Sequence, residues 1–463
     1  MKLKLTQIKF FSKYSFRCIL VILILHLSTL LYYDYNSFYL GDYDYVSINE
    51  IISETSRGNF FQTYYHGESG NFLAHHFSIS LLFFIPFIFI TKTKIGYGIG
   101  LIFYSILSLV ITKKILDEYF GKFFSAILFL ILSLNIYSYR LFISYHFEIF
   151  FLFSFLLYFL GIKKKYISLE LIGLFITILL KEDIPYYILF FSFFFLINNE
   201  FKRFTITSSI ILFYSIVIIP NIQKTLNQNS SVNFLLGWSE YGKNIPEILI
   251  SFIRKFDLVF MQFLSKKKIL LDLILGLGLP SLFTSIFFLI IPILVLHFTS
   301  NRIWYNSLYN YYCYTILPFL IIGFILGTKK IFENKKLKTW RIYISVFLFS
   351  TIFLTSSKDT DFPRKFRQIP ATRLQRTKEA IELIPENSIV SVSFDLGALL
   401  KSNISLRPLS LSSNTQFILF DSESTSPYVS NEDMKLFLEQ LINKKEYNIL
   451  FSNKTLVLLK KND

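Results

Sequence analysis

The residues able to do chemistry in this chain gather at the ends of apolar runs. Asp44 opens YDYVSINEIISETS, His75 and His76 open HHFSISLLFFIP, His146 and Glu148 stand in SYHFEIFF, and Lys181, Glu182 and Asp183 stand in LLKEDIPYY. A carboxylate held at a low-dielectric boundary serves as a general base with a raised pKa, or as a ligand for a divalent cation. Imidazoles beside it supply hydrogen bonds to phosphate oxygens or ligands to a metal, so Asp44, Glu148 and His76 are the candidate metal ligands. Arg140, eight residues before Glu148, is suited to pairing with a phosphate bidentately. Each feature also has a bland reading: acids solvating a loop, His76 anchoring a helix end, a Lys181–Glu182 pair at a helix boundary, and Arg140 ending a helix among headgroups. Ionisable groups at membrane depth are costly enough that a functional site is the default.

The elements that must position these residues are membrane helices. The 463 residues are 53% hydrophobic and 19% aromatic, with a mean hydropathy of +0.50, and runs such as IFFLIIPILVLHF are apolar on every face. Such runs call for lipid as solvent. The net charge of +16 does not point to nucleic acid, because the lysines and arginines fall in short clusters between apolar segments, as topology control requires. Cys18 and Cys313 lie far apart in apolar stretches and form no disulfide framework. There is no Walker loop, GxGxxG, zinc pattern or GxSxG elbow, which argues against soluble nucleotide chemistry.

About twelve apolar segments fall between residues 17 and 356, the first a retained helix behind Lys2, Lys4, Lys9, Lys13 and Arg17. The N-terminus, TKTK at 91–94, KKK at 163–165, NNEFKR at 198–203 and KKIFENKKLKTWR at 329–341 are expected in the cytoplasm. The loop 34–74 holds six acids (Asp34, Asp42, Asp44, Glu50, Glu54, Glu68) against Arg57 and is expected outside, as is 221–268. Everything after about 357 then also lies outside, so the crossings must be odd and twelve is one too many. The conflict sits between TKTK and KKK, where three segments stand in place of an even number. One of these, or the short 76–90, is expected not to cross.

Within 221–268, PEILISFIRKFDLVFMQFL places Glu247, Ser251, Arg254, Lys255 and Gln262 along one helical face, with Pro246 starting a helix expected to lie flat at the interface. Trp238, Glu240, Tyr241, Tyr311 and Tyr312 read as an outer aromatic belt. After 357, ATRLQRTKEAIELI reads as a helix, NSIVSVSF and TQFILFD as strands, and FDLGALLK as a turn and short helix. NEDMKLFLEQLINKK reads as a helix capped by Asn431, and YNILFSNKTLVLLKK as two runs about an Asn-Lys turn. The fold class is therefore an all-α polytopic membrane domain over 1–356, of about eleven crossings, plus a small extracytoplasmic α/β domain over 357–463.

Asp44, Asn49-Glu50, Arg57-Gly58, HHFSISLLFFIP, YHFE, LLKED, LYNYYCYTILPF and IPENSIVSVSFDLGALLKSNISLRPLS, taken in order, resemble an uncharacterised prokaryotic family of polytopic membrane proteins. That family, a domain of unknown function, is grouped with the GT-C glycosyltransferases, which use polyprenyl-phosphate sugars outside the membrane. The resemblance implies Asp44 as acid or base, Glu148 as second carboxylate, and His76-Phe77 and Lys181-Glu182 as family motifs. Two departures are YDY where an Asp-Glu pair is common and Asn310 where a His often stands.

The implied function is transfer of a sugar from a polyprenyl-phosphate donor to an extracytoplasmic acceptor by a protein of the bacterial cytoplasmic (inner) membrane, whose N-terminus is in the cytoplasm. Asp44 and Glu148 would be catalytic, and His75, His76, Arg140, His146, Lys181 and Glu182 would bind the donor phosphate, with a divalent cation as the one cofactor to consider. The alternatives are a transporter, against which the one-sided clustering of acids speaks, and a non-catalytic protein retaining the fold.

Overall fold

The computed structural model describes residues 5–41, 43–65, 70–226, 237–243, 245–308, 310–358, 362–424 and 429–462; Asp42, Glu68 and the side chains of Pro246 and Asn310 lie outside the described residues. Among the described residues up to Ser357 the elements are mainly helices, in the order α1 (Leu5–Asn36), α2 (Tyr43–Ser56), α3 (Ile85–Thr91), α4 (Ile95–Tyr119), α5 (Lys122–Ser133), α6 (Ile136–Ile143), α7 (Ile149–Lys164), α8 (Ile167–Ile178), α9 (Ile184–Ile197), α10 (Phe201–Phe213) and α11 (Ile219–Leu226). Next come α12 (Ile245–Arg254), α13 (Phe256–Ser265), α14 (Lys267–Leu273), α15 (Ser285–Phe298), α16 (Ile303–Asn306), α17 (Leu317–Glu333) and α18 (Arg341–Ser357). Among the described residues, three helical stretches, Tyr14–Asn36, Ile95–Tyr119 and Phe201–Leu226, are long and apolar enough to cross a bilayer, and α5 and α6 form an apolar pair bent by 58° at its break. The remaining apolar helices are shorter.

Two compact units emerge, neither contiguous in sequence. The first holds residues 1–25, 75–78 and 103–364; the second holds 26–74, 79–102 and 365–463.

In the first unit, local signals end helices where the site needs them to end. Asn135 breaks the α5–α6 span, its side chain accepting from the Tyr137 and Ser138 amides as the N-cap of α6 while its Nδ2 donates to the Gly276 carbonyl. Tyr145 then takes a left-handed φ of 55° and turns the chain into His146 and Glu148 ahead of α7. Pro185, in the first turn of α9, lacks the amide that would continue α8, so Lys181–Asp183 form the connection. Gly173 of α8 lies so close to α7 that a Cβ there would sit 2.5 Å from the Tyr158 backbone. Small residues of this kind let membrane helices approach closely. The segment expected at the interface forms two helices, α12 and α13, interrupted at Lys255.

The second unit carries the C-terminal sheet: β1 (Ile389–Val392), β2 (Ser405–Pro408), β3 (Phe417–Asp421), β4 (Tyr447–Ser452) and β5 (Leu456–Lys461), ordered β2-β1-β3-β5-β4. β1 pairs in parallel with β2 and β3, while β5 is antiparallel to β3 and β4. Two helices accompany it, α19 (Ala371–Glu382) and α20 (Asn431–Asn443). Met434, Leu438 and Leu441 of α20 share a core with Ile418, Phe420 and Leu459, the 3.6-residue period of a helix facing the 2-residue period of the strands. α20 is capped by Ser430, whose Oγ accepts from the Asp433 amide, and not by Asn431. β2 escapes the sequence patterns because SLRP is four residues long and ends in proline, which suits an edge strand.

Two expectations about the loop 34–74 are overturned here. Its acids are not a solvated patch: Asp34 and Glu50 are fully buried and Glu54 almost so, while Asp44 is exposed on the first turn of α2. Glu50 accepts from Lys94 Nζ at 2.6 Å and from the Leu406 amide at 2.8 Å, and Arg57 pairs with Glu54 at 2.7 Å while donating to the Ser402 carbonyl. Nor does TKTK face the opposite side from this loop, because Lys94 is buried against α2 and Thr93 forms a β-bridge with Lys401. The segment before it, a 3₁₀ turn over Ile79–Phe84 and the seven-residue α3, is too short to cross about 30 Å of hydrocarbon.

Candidate functional site

Within the first unit the α8–α9 connection meets the turn before α7 and the residues 75–78. Glu148, 1% exposed, accepts from Lys181 Nζ at 3.2 Å through Oε1 and from His146 Nδ1 at 2.8 Å through Oε2. Glu182 is equally committed: Oε1 accepts from His76 Nδ1 at 3.0 Å and Oε2 from the Phe77 amide at 2.9 Å. Asp183 Oδ2 accepts from the Tyr314 hydroxyl at 2.7 Å and from Tyr187 at 3.2 Å, and the Tyr187 hydroxyl lies 3.0 Å from that of Tyr305. Asp183 Oδ1 is buried without a hydrogen-bond partner among the described residues.

Three carboxylates thus surround one ammonium. Burial opposes the charge on Lys181, but Glu148, Asp183 and Glu182 outweigh it and push its pKa above the ordinary lysine value. Burial also raises Glu182, yet the charge and hydrogen bond of His76, with Lys181, hold it below the usual carboxylate range. Asp183 goes the other way: burial raises it and Lys181 only partly offsets this. Burial and the neighbouring His76 lower His75.

Aromatic rings wall the cluster. His146 stacks on Tyr311 with centroids 3.5 Å apart, and Lys181 Nζ lies 5.7 Å from the Tyr314 ring centre. Tyr311, Tyr314 and Tyr241 are buried, which contradicts the membrane-belt reading of Tyr311 and Tyr241. His297, fully buried, pairs with the Tyr305 carbonyl and the Thr315 hydroxyl and stacks on the Tyr305 ring. Sequence reading placed Asp183 with Lys181 and Glu182 without giving it a role, and missed Tyr187, Tyr305, Tyr314 and His297 as members of this network. Only the phenol-rich YNYYCYT run signalled any of them.

Of the expected site residues, the structure pairs His146 and Lys181 with Glu148 and pairs His76 with Glu182, the two sets adjoining at the Lys181–Glu182 peptide. Arg140, half-buried in the last turn of α6, and His75 belong to the same unit, whereas Asp44 belongs to the other. The expected metal set does not fit. Both Glu148 oxygens and His76 Nδ1 are engaged, an ammonium takes the place a divalent cation would need, and no three His, Cys, Asp or Glu among the described residues are grouped to hold a metal. What the arrangement offers is a fixed cation, Lys181, and an imidazole, His76, that is 37% exposed.

A family model described as "Predicted membrane protein (DUF2079)" matches residues 34–458. No curated protein sequence matches the chain. Among solved structures, it is similar to the crystal structure of ArnT from Cupriavidus metallidurans bound to undecaprenyl phosphate, at 9% identity and a TM-score of 0.48, over 95% of this chain and 97% of that one.

Proposed function

The chain belongs to the DUF2079 family of predicted membrane proteins, and on that premise we propose that it is an integral membrane glycosyltransferase of GT-C type, moving a sugar from a polyprenyl-phosphate donor to an acceptor on the extracytoplasmic side. The observation that carries this reading is the Lys181 ammonium, fixed by Glu148 at 3.2 Å and kept cationic by three carboxylates, beside the exposed edge of His76. A leaving phosphate gains charge as the glycosidic bond breaks, and preorganised cations placed to meet that charge are the largest catalytic effect of this kind. Lys181 takes that role, with Arg140, His75 and His146 as further donors toward the phosphate. Glu148 holds the lysine in place. Asp44 is proposed as a carboxylate for the acceptor hydroxyl, which Asp44→Asn examines directly.

The test is transfer of labelled sugar from a polyprenyl-phosphate donor in proteoliposomes. Lys181→Ala is expected to lower kcat/KM at least 10²-fold, with retained thermal stability of a Lys181→Arg control showing an intact fold. Transfer undiminished in Lys181→Ala would remove the basis of the proposal.

A further inference from the structure

We propose that the C-terminal sheet domain binds an acidic saccharide in a groove at the end of α20, a property that stands whether or not the transfer reaction above occurs. The groove has a volume of 530 Å³ and lies wholly within the second unit. Its walls follow from the periodicity of the elements. Phe437, Gln440, Leu441 and Lys444 recur at the i, i+3, i+4, i+7 spacing that puts them on one face of α20 and its C-cap. On the sheet side, Tyr447 of β4 is the register partner of Lys461 of β5, so these two share a face while Lys460 stands on the other. Residues 412–414 close the third side. Hydrogen bonds tie the walls together: the Tyr447 hydroxyl donates to the Thr415 carbonyl at 2.6 Å, and the Lys461 amide to the Gln416 carbonyl at 2.9 Å. Asn462 reaches the helix end, its Nδ2 donating to the Lys445 carbonyl at 2.6 Å and its amide to the Glu446 carbonyl at 2.9 Å. Walls fixed in advance lose little entropy when a ligand arrives.

The lining says what that ligand is. Lys444, Lys445 and Lys461 bring three ammoniums against one carboxylate, Glu446, a local charge of 3 − 1 = +2. All three lysines are exposed, and none is ion-paired among the described residues. A helix C-terminus attracts cations in its own right, which accounts for Lys444 and Lys445 but not for Lys461, supplied by β5. The side-chain amides of Asn414 and Gln440 are uncommitted among the described residues, and an amide both donates and accepts, matching a sugar hydroxyl in either sense. The half-buried Phe437 ring offers a face to the C–H side of a pyranose. The volume falls within the range of about 300–1,000 Å³ typical of small-molecule sites, but those are lined mostly by apolar groups, unlike this one. It is also many times the roughly 30 Å³ share of one water, so a lone inorganic anion leaves it largely unfilled. A large, polyhydroxylated, negative ligand meets all three conditions: a uronate-bearing oligosaccharide, its carboxylates toward the lysines and its hydroxyls toward Asn414 and Gln440.

The test is calorimetric titration of the full chain, in nanodiscs of zwitterionic lipid at low salt, with galacturonic acid trisaccharide. Saturable binding is expected, with neutral maltotriose, inorganic phosphate and a triglutamate peptide of the same net charge each bound more weakly. Lys444→Ala/Lys461→Ala should weaken the uronate about tenfold. Its unfolding midpoint should stay at the wild-type value, since both side chains are exposed. Lys435→Ala/Lys460→Ala removes the same charge from exposed positions outside the groove and should leave affinity within about twofold. Three results would overturn the proposal: no saturable binding of the trisaccharide to wild type, an equal loss in the Lys435/Lys460 pair, which would reduce the effect to diffuse charge, or triglutamate or phosphate bound as tightly as the uronate, which would assign the groove to an acidic peptide or to a simple anion.

Discussion

Lys181 is one residue doing two jobs, and substitution separates them. It neutralises Glu148, which is 1% exposed, so Lys181→Met leaves a buried carboxylate without its cation. Breaking one side of such a pair costs about 3–5 kcal/mol, and calorimetric or denaturant unfolding should show the loss, with Lys181→Met/Glu148→Gln recovering part of it as a positive coupling. A smaller penalty in the single variant than in the double would contradict the pairing. Asp183 should behave oppositely. Burial raises its carboxyl, so the folded state resists its ionisation; that contribution to stability is present at low pH and is lost as pH rises through the folded value. Asp183→Asn, which still accepts from Tyr187 and Tyr314, is therefore expected to match or exceed wild-type stability at neutral pH, with the advantage shrinking toward acid. Glu182 has the reverse sign. Held below the usual range, it stabilises above the ordinary carboxylate value and this is lost as pH falls through its lower folded value, so unfolding midpoints should drop on the acid side more steeply in wild type than in Glu182→Gln.

At the scale of elements, the site depends on helices that stop. The α5–α6 break is capped by Asn135, which also reaches the Gly276 carbonyl. Asn135→Ala should cost about 1 kcal/mol for the cap and reduce transfer further than that figure suggests, because the turn carrying His146 and Glu148 follows α6. Equal transfer rates in wild type and variant would show that the break does not position the turn. Asn135 and Pro185 are readable in sequence as a cap and a stop. Gly173 is not, since its role is the approach of α8 to the Tyr158 backbone of α7. Aromatic residues misled in the same way: YNYYCYT looks like an interfacial belt by composition, yet Tyr311 and Tyr314 are buried against His146 and Asp183.

For the whole molecule, the decisive quantity is which loops share a side of the bilayer. The buried Lys94–Glu50 pair and the Thr93–Lys401 bridge put TKTK with α2 and the C-terminal sheet. Cysteines introduced at Lys92 and at Lys454, in a background lacking Cys18 and Cys313, should both react with an impermeant maleimide from the same face of intact cells. Labelling from opposite faces would break the second unit as described. Lysine clusters orient a chain only statistically, and in TKTK the last lysine is no topology signal at all, being fully buried in an ion pair.

The amino-acid sequence by itself determined that lipid is this chain's solvent, that helix ends present YHFE and KED, and that a strand-and-helix domain closes the chain. These are local properties: apolar run length, periodicity and the residues that start or stop a helix. Tertiary structure alone decided who pairs with whom. His76 meets Glu182 across 106 residues and Glu50 meets the Leu406 amide across 356. No local pattern encodes such a partnership, because it follows from how closely helices pack and from the requirement that a carboxylate taken out of water find its donors there.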